Sequence, residues 1–322
     1  MDAIETLDLR RTYRTSTGSL RRRSVEIEAV QGISLAVPRG ELFGLLGPNG
    51  AGKTTTIKIL TTLLIPTSGS ARVLGHDVVR DVRDVRRQIG YVFGGDRGLY
   101  ERLSGLDNLR YFCELYAVPA REQKRRIGSL LDLVGLTGRE RERVEGYSRG
   151  MRQRLHIARG LLHDPAVVFL DEPTIGLDPV GARELRSIVT TLAETGKTIL
   201  LTTHYMFEAD ELCDRIAVIN RGRIVGEGTP AELKRRVAEE TVVEIEAYGV
   251  PDDVIARLRR APGVTSVSVD VRDQSQVLLV RSPRGRGRPD ELLPLLDGAR
   301  IGRMTTREPT LEDAYVALVT DD

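Results

Sequence analysis

The sequence has no tryptophan, and aromatic residues make up only 4% of its 322 positions. Few rings are therefore available to stack on nucleobases. A charge of one sign is also missing: 48 Lys plus Arg against 46 Asp plus Glu leave a net charge of +2. Nucleic-acid binders usually carry a large basic excess on one face, so no nucleic acid is expected as a partner. Cys113 and Cys213 are the only cysteines, far apart and without a CxxC pattern. That excludes a disulfide framework and a thiolate zinc site, and fits a reducing cytoplasm. No apolar run approaches the roughly 18 residues that span a bilayer. The opening MDAIETLDLRRTY has acidic residues and no apolar core, so it does not read as a signal peptide. Work at a membrane would require another chain to supply the membrane part.

The length allows one large domain and a smaller one. Short strands are expected at 4–10 and 27–37, joined by the polar TSTGSLRRRS. Its Arg21–Arg23 read as a solvated loop tip. ELFGLLGPNGAGKTTTIKILTTLL reads as a buried strand, a glycine loop and a helix. Residues 71–79 and 89–93 are strand-like, and 106–134 are helical with a break near Pro119. Residues 148–162 form a basic amphipathic helix, and AVVFLDEP is an apolar strand ending in carboxylates. A helix at 181–194 leads into strand TILLTTH, and one at 206–213 into a strand RIAVINRGRIV. This alternation predicts an α/β fold with a mixed, mainly parallel, covered sheet and a helical subdomain. Beyond Leu233 the order becomes βαββαβ, the split pattern of a ferredoxin-like α+β domain, closed by a helix PTLEDAYVALV. The predicted domains are 1–235 and 240–322.

GPNGAGKT at 47–54 fits G-x-x-x-x-G-K-[ST] in full, between a strand and a helix. A triphosphate needs several backbone N–H donors converging on its oxygens. Gly47, Gly50 and Gly52, with Pro48, Asn49 and Ala51 between them, can curl into such a nest. The helix that follows adds its positive end through Thr54 and Thr55. Lys53 would reach the β- and γ-phosphates of ATP, and the Thr54 hydroxyl would bind Mg²⁺. Asp171, ending the second apolar strand, would hold the same ion, and Glu172 would polarise the attacking water.

YSRGMRQRLHIARGLLHDPAVVFLDEPTIGLDP resembles the stretch that defines ATP-binding cassette ATPases. Ser148, Arg149 and Gly150 stand where that family has its signature loop, usually written LSGGQ. Gly176, Leu177 and Asp178 match its dimer-contact loop. His204 matches its switch histidine, and Tyr13 stands where the family stacks a ring on adenine. The match covers about residues 4–235, with the motifs in the family's order. The resemblance implies a P-loop cassette that pairs head to tail with a second copy. ATP bound at Lys53 and Thr54 of one copy would be capped by Ser148 and Gly150 of the other, with Asp178 of the dimer-contact loop also at the nucleotide, while His204 and Glu172 orient the water.

Two departures stand out. The signature is YSRGM, keeping Ser148 and Gly150 but not the residues around them. In IGYVFGGDRGLYERL, Gly94 occupies the position where the family has a glutamine that touches Mg²⁺ and water. Asp96 and Arg97 are the candidates to stand in, with coupling through the loop backbone and the Arg97–Arg102 stretch. The ending EPTLEDAYVAL and the segment PTSGSARVLGHDV resemble the drug- and polysaccharide-exporter branch, of daunorubicin-resistance type. That branch implies an ATPase on the inner face of the cell membrane, working with separate permease chains. The small domain would be an accessory. Two alternatives remain open at the level of sequence: a soluble cassette ATPase outside transport, and an ATP-gated scaffold poor in hydrolysis.

Overall fold

The computed structural model describes residues 2–17, 23–94, 98–237, 240–272, 275–283 and 286–320. In chain order the first part consists of β1 (Asp2–Thr17), β2 (Arg23–Pro38), β3 (Leu42–Leu46), α1 (Lys53–Leu60), β4 (Ser68–Val73), β5 (His76–Asp77), α2 (Val82–Gln88) and β6 (Ile89–Phe93). Three helices follow, α3 (Gly105–Leu115), α4 (Ala120–Leu133) and α5 (Arg149–Leu161). Then come β7 (Val167–Asp171), α6 (Pro179–Glu194), β8 (Thr198–Thr203), α7 (Met206–Leu212), β9 (Arg215–Asn220) and β10 (Arg223–Gly228).

One sheet has the order β10-β9-β3-β8-β7-β6. Its five central and edge strands from β9 to β6 run parallel, and β10 is antiparallel. Strands covered on both faces must be apolar throughout. LFGLL, VVFLD and TILLTT are accordingly buried at every position. Each fully buried Leu, Val or Phe contributes about 1.5–3 kcal/mol. The second sheet, β2-β1-β4-β5, is antiparallel. The two sheets share a core that includes Ile4, Leu9, Ile33, Phe43, Ile57 and Phe169.

Three local readings of the sequence differ from the structure. The β1–β2 ribbon extends beyond its predicted strands, with pairs as far as Thr17↔Arg23; residues 18–22 of the predicted loop, Arg21 among them, lie outside the described residues. RIAVINRGRIV is not one strand but the β9–β10 hairpin, turning at Arg221 (φ 43°) and Gly222 (φ 82°). Residues 71–79 likewise hold a turn between β4 and β5, at Leu74 (φ 51°) and Gly75 (φ 84°). Two consecutive residues at positive φ suit the right-handed twist of a hairpin. The usual sequence cue, Asn or Asp before Gly, is absent at both.

The chain divides into compact units Met1–Thr229 and Pro230–Asp322. The second begins with α8 (Pro230–Arg235), six residues that the sequence reading kept with the first domain. It continues with β11 (Glu240–Tyr248), α9 (Asp252–Arg260), β12 (Ser266–Arg272), β13 (Ser275–Pro283), α10 (Pro289–Leu292), β14 (Arg300–Arg307) and α11 (Leu311–Thr320). Its antiparallel sheet has the order β12-β13-β11-β14, which a βαββαβ chain forms when its helices cross over one strand. Val254 and Leu258 of α9 and Leu292 and Leu296 after β13 pack against Val243, Ile245 and Leu278 of the sheet.

α11 is fastened by Asp313, whose side chain is 1% exposed. It pairs with Arg307 and, at 3.2 Å, with Arg281, and accepts from the Thr310 amide at 2.8 Å. Burial alone would raise its pKa; the bonds from Arg307 and Thr310 outweigh that and hold the carboxyl below its ordinary range. A carboxylate with a lowered folded pKa stabilises fully above its unfolded value, and that contribution drains away as pH falls through the folded one. Asp313→Ala leaves the buried Arg281 without its carboxylate and takes one of two from Arg307, which keeps Glu244 at 3.5 Å. It should cost the second unit about 3–5 kcal/mol near neutral pH. Hydrogen exchange over 240–320 in the full chain will measure this, and the gap between wild type and Asp313→Asn should narrow below about pH 4.

Candidate functional site

In the six-stranded sheet, β3, β7 and β8 end on the same edge, where open α/β sheets bind their ligands. β3 runs into Gly47–Gly52, β7 into Asp171–Glu172, and β8 into Thr203–His204. β8 lies between the other two, so Thr202 is level with Leu45 on one side and Asp171 on the other. Its hydroxyl donates to Asp171 Oδ1 at 2.6 Å and accepts from the Glu172 amide at 3.0 Å.

The glycine loop closes onto neighbouring backbone. Gly52 has φ 109°, and a Cβ there would lie 2.4 Å from the Ala29 carbonyl oxygen. Both facts demand glycine. Ala51 is buried, and its carbonyl accepts from the Gly222 amide at 2.8 Å. Lys53, 3% exposed, donates to the carbonyls of Gly47 (2.7 Å) and Pro48 (3.1 Å), and its Nζ lies 3.2 Å from Glu172 Oε1. A groove of about 220 Å³ beside the loop is lined by Ala29, Asn49, Gly50, Gly52, Lys53, Thr54, Thr55 and Glu172.

Thr54 donates to Asp171 Oδ1 at 3.2 Å. Two hard oxygen donors side by side fit Mg²⁺, which keeps the rest of its octahedron as water and phosphate oxygens. Among the described residues there is no cluster of three or more acidic, His or Cys side chains that would hold a metal by protein alone. Beside Asp171 lies Tyr91. Burial, then the charge of Asp171, pushes its phenol well up, so it keeps its proton.

Glu172 stands at φ 48°, a left-handed conformation that costs a non-glycine residue about 1–3 kcal/mol. Its Oε1 lies 3.4 Å from His204 Nδ1, and the His204 ring stacks on Tyr205 at 4.1 Å between centroids. Lys53, Glu172 and His204 thus meet around one carboxylate oxygen.

Ser148, Gly150 and Asp178 sit elsewhere. Ser148 caps α5, accepting from the Met151 amide at 3.2 Å, and Asp178 caps α6, accepting from Gly181 at 2.6 Å. With Arg149, Gly176 and Leu177 they line a separate groove of about 340 Å³ that shares no residue with the first. The Arg149 guanidinium lies over Gly176, 2.2 Å from where a Cβ would be.

Tyr13 is not among the lining residues of the loop groove. It pairs across the ribbon with Ile27, with the Arg11 guanidinium 4.9 Å over its ring. Ile27 and Ala29 are two apart on one strand, so Tyr13 stands about 7 Å further out along that face. Thr202 and Tyr91 are site residues that the sequence reading missed. The signal for Thr202 is a pair of threonines ending a strand that is otherwise apolar.

Asp96 and Arg97 lie outside the described residues. Gly94 is more than a missing glutamine. Its amide donates to the Asp171 carbonyl at 2.8 Å, and a Cβ would lie 2.7 Å from the Glu172 carbonyl oxygen.

A glycine loop between a parallel strand and a helix, with an acidic strand end beside it, defines the P-loop class of nucleoside-triphosphate-binding proteins. Residues 30–175 match the family described as ABC transporter. The sequence is 40% identical to the daunorubicin resistance ATP-binding protein DrrA3 of Streptomyces coeruleorubidus, over 92% of each chain. It is 39% identical to the doxorubicin resistance ATP-binding protein DrrA of Mycobacterium tuberculosis, over 92% of this chain and 90% of that one. Among solved structures, cbiO1 from Clostridium perfringens, part of the ABC transporter complex cbiONQ, superposes with a TM-score of 0.63 at 28% identity. It covers 73% of this chain and 94% of its own. The dimeric cassette MJ0796, in a post-hydrolysis state bound to ADP and Pi, gives 0.61 at 25% identity over 70% of this chain and 98% of its own. The chain belongs to the ATP-binding proteins of ABC transporters, of daunorubicin-resistance type.

Any side chain at position 94 must displace the backbone that sets Glu172. Gly94→Ala and Gly94→Gln should therefore lower the ATP turnover number about tenfold, because small misplacements of a catalytic group are costly. MgATP affinity should stay within about twofold, because the loop itself is untouched. Steady-state assays paired with nucleotide titration will separate the two.

Proposed function

We propose that the chain is the ATP-hydrolysing subunit of a drug exporter and acts as a head-to-tail pair with a second copy. One observation carries this reading: the groove of Lys53 and Thr54 and the groove of Ser148, Gly150 and Asp178 share no residue. Each has features suited to phosphate, yet within one chain they do not form a single site. Two copies facing each other bring one groove of each kind together twice. The dimeric cassette among the structural neighbours supports the arrangement.

In this reading the loop amides, Lys53 and the start of α1 hold the triphosphate. Asn49, Gly50 and Thr55 line the same cradle, with Gly47, Pro48 and Ala51 shaping it, and Tyr13 meets the adenine further out on the ribbon. Thr54 and Asp171 would hold Mg²⁺, which would neutralise charge developing on the phosphate oxygens. Glu172 accepts a proton from the attacking water, and His204 fixes the water and the carboxylate relative to each other. Ser148 and Gly150, at the positive end of α5, cap the γ-phosphate from the partner copy. ATP then joins the copies and hydrolysis releases them, a two-state switch driven by ligand.

The names of the relatives support resistance by export. No helix among the described residues is long and apolar enough to cross a membrane, so the reading assigns passage of the drug to separate permease chains. The ATPase then sits on the inner face of the cell membrane. Residues 240–322 form an accessory domain to the cassette of 1–235.

Wild-type turnover per chain should rise with protein concentration as pairs form. Glu172→Gln should lower it at least a hundredfold while leaving ATP-dependent pairing intact, and Lys53→Ala should abolish both. Sedimentation with and without ATP, run beside phosphate release, tests this; a strict monomer with full turnover would refute it.

A further inference from the structure

Along β1 the pairing with β4 ends at Arg10↔Ser68. Beyond Arg10 the chain pairs with β2, as far as Thr17↔Arg23. A ribbon of two strands is marginal by itself, so a side chain that must stay in place on it needs support from elsewhere. The segment after α1 supplies it. The Thr67 amide donates to the Arg10 carbonyl at 2.8 Å, and the Thr12 amide donates to the Thr67 hydroxyl at 3.0 Å. Between them, Arg11 Nη1 donates to the Ile65 carbonyl at 2.9 Å. The segment is tied back to α1, because the Leu63 and Leu64 amides both donate to the Lys58 carbonyl, at 2.8 and 3.0 Å. α1 in turn begins at Lys53.

Arg11 differs from the arginines on either side of it. Arg10 pairs with Asp8 at 2.8 Å and Arg14 with Glu26 at 2.9 Å. The Arg11 guanidinium meets a carbonyl instead, its Nε is shut off from water, and its Cζ lies 4.9 Å over the centroid of the Tyr13 ring. The negative face of a phenol ring attracts a guanidinium set above it. One face of the ring is thereby taken, and the second is the one a planar base can take. Tyr13 stands opposite Ile27, two residues along β2 from Ala29, which lines the groove beside the glycine loop.

We propose that Arg11 is a positioning residue for the nucleobase: anchored on the Ile65 carbonyl, its guanidinium backs the Tyr13 ring and presents the opposite face to adenine. The inference rests on the reading of Tyr13 above. In this role Arg11 touches neither phosphate nor the attacking water; it acts through the ring. Its effect is confined to ligands that carry a base, and to binding rather than to the chemical step.

Arg11→Met keeps the length of the side chain and loses its charge and its donors. Calorimetric titration of the full chain with Mg²⁺ and a non-hydrolysable ATP analogue should show a Kd raised about fivefold. The Kd for magnesium tripolyphosphate, which has no base, and the turnover number at saturating MgATP should both stay within about twofold of wild type. Tyr13→Ala should weaken the analogue about tenfold and spare tripolyphosphate. Adding Arg11→Met to Tyr13→Ala should change the Kd by less than about twofold, because the arginine acts through a ring already removed. Wild-type affinity for the analogue in Arg11→Met would overturn the proposal. So would an equal loss with tripolyphosphate, or a full further loss when Tyr13 is already alanine. Wild-type affinity in Tyr13→Ala would overturn the reading of Tyr13 and the proposal with it, whereas a loss in Tyr13→Ala with none in Arg11→Met overturns the proposal alone. Absence of turnover in wild type would overturn the ATPase reading, and the titrations would still decide the role of Arg11.

Discussion

The hydroxyl of Thr202 takes part in two hydrogen bonds of opposite sense, giving its proton to Asp171 and accepting the amide proton of Glu172. A hydroxyl can do this because it is donor and acceptor at once. Its location follows from strand order: β8 enters the sheet between β3 and β7, in register with both. The consequence is that the candidate metal carboxylate and the candidate catalytic carboxylate are oriented from one atom. Thr54, Asp171, Thr202 and Glu172 form a continuous chain of contacts from the start of α1 to the strained turn after β7. Replacing Thr202 with valine would keep the volume and sever that chain.

Charge around this chain is balanced at close range. Lys53 and Glu172 lie 3.2 Å apart in a largely buried setting, and neither is left as an isolated buried ion. Burying one without the other would cost several kcal/mol. Lys53 is further held by two loop carbonyls, so its position comes from the loop's shape rather than from the carboxylate alone. The geometry of the candidate catalytic carboxylate is therefore tied to the same backbone that forms the candidate phosphate cradle.

Much of this was legible in the sequence, and the reasons are physical. GPNGAGKT specifies its own backbone, because only glycine tolerates φ 109° with a carbonyl 2.4 Å from where a Cβ would be. LFGLL, VVFLD and TILLTT announce buried parallel strands by being apolar on both faces. The order βαββαβ was likewise readable from alternating apolar positions. What escaped were features set by tertiary context. Leu74 and Arg221 adopt left-handed φ in hairpin turns that their side chains do not favour, so two strand pairs read as two single strands. α2 has only seven residues and one buried side chain, Val85, too little periodicity to register. Glu172 was read as the group that would polarise the attacking water, but its strained backbone has no sequence signature. Gly94 read as a departure from the family's glutamine, with coupling carried by the loop backbone, whereas its close approach to Glu172 depends on a loop distant in sequence.

The β9–β10 turn is joined to the glycine loop and to β2 by main-chain hydrogen bonds. The Gly222 amide bonds the Ala51 carbonyl, and the Gly222 carbonyl accepts the Gln31 amide, each at 2.8 Å. Ala51 belongs to the glycine loop and Gln31 to the neighbouring antiparallel sheet. A displacement of that sheet therefore reaches the cradle through bonds that carry no side-chain identity. Such wiring is invisible to ordinary substitution, because exchanging the side chain of Ala51 or Gln31 leaves these peptide groups in place. The spacing between the ribbon and the candidate phosphate cradle is thus set by peptide groups, as a ruler keeps its length whatever is printed on it.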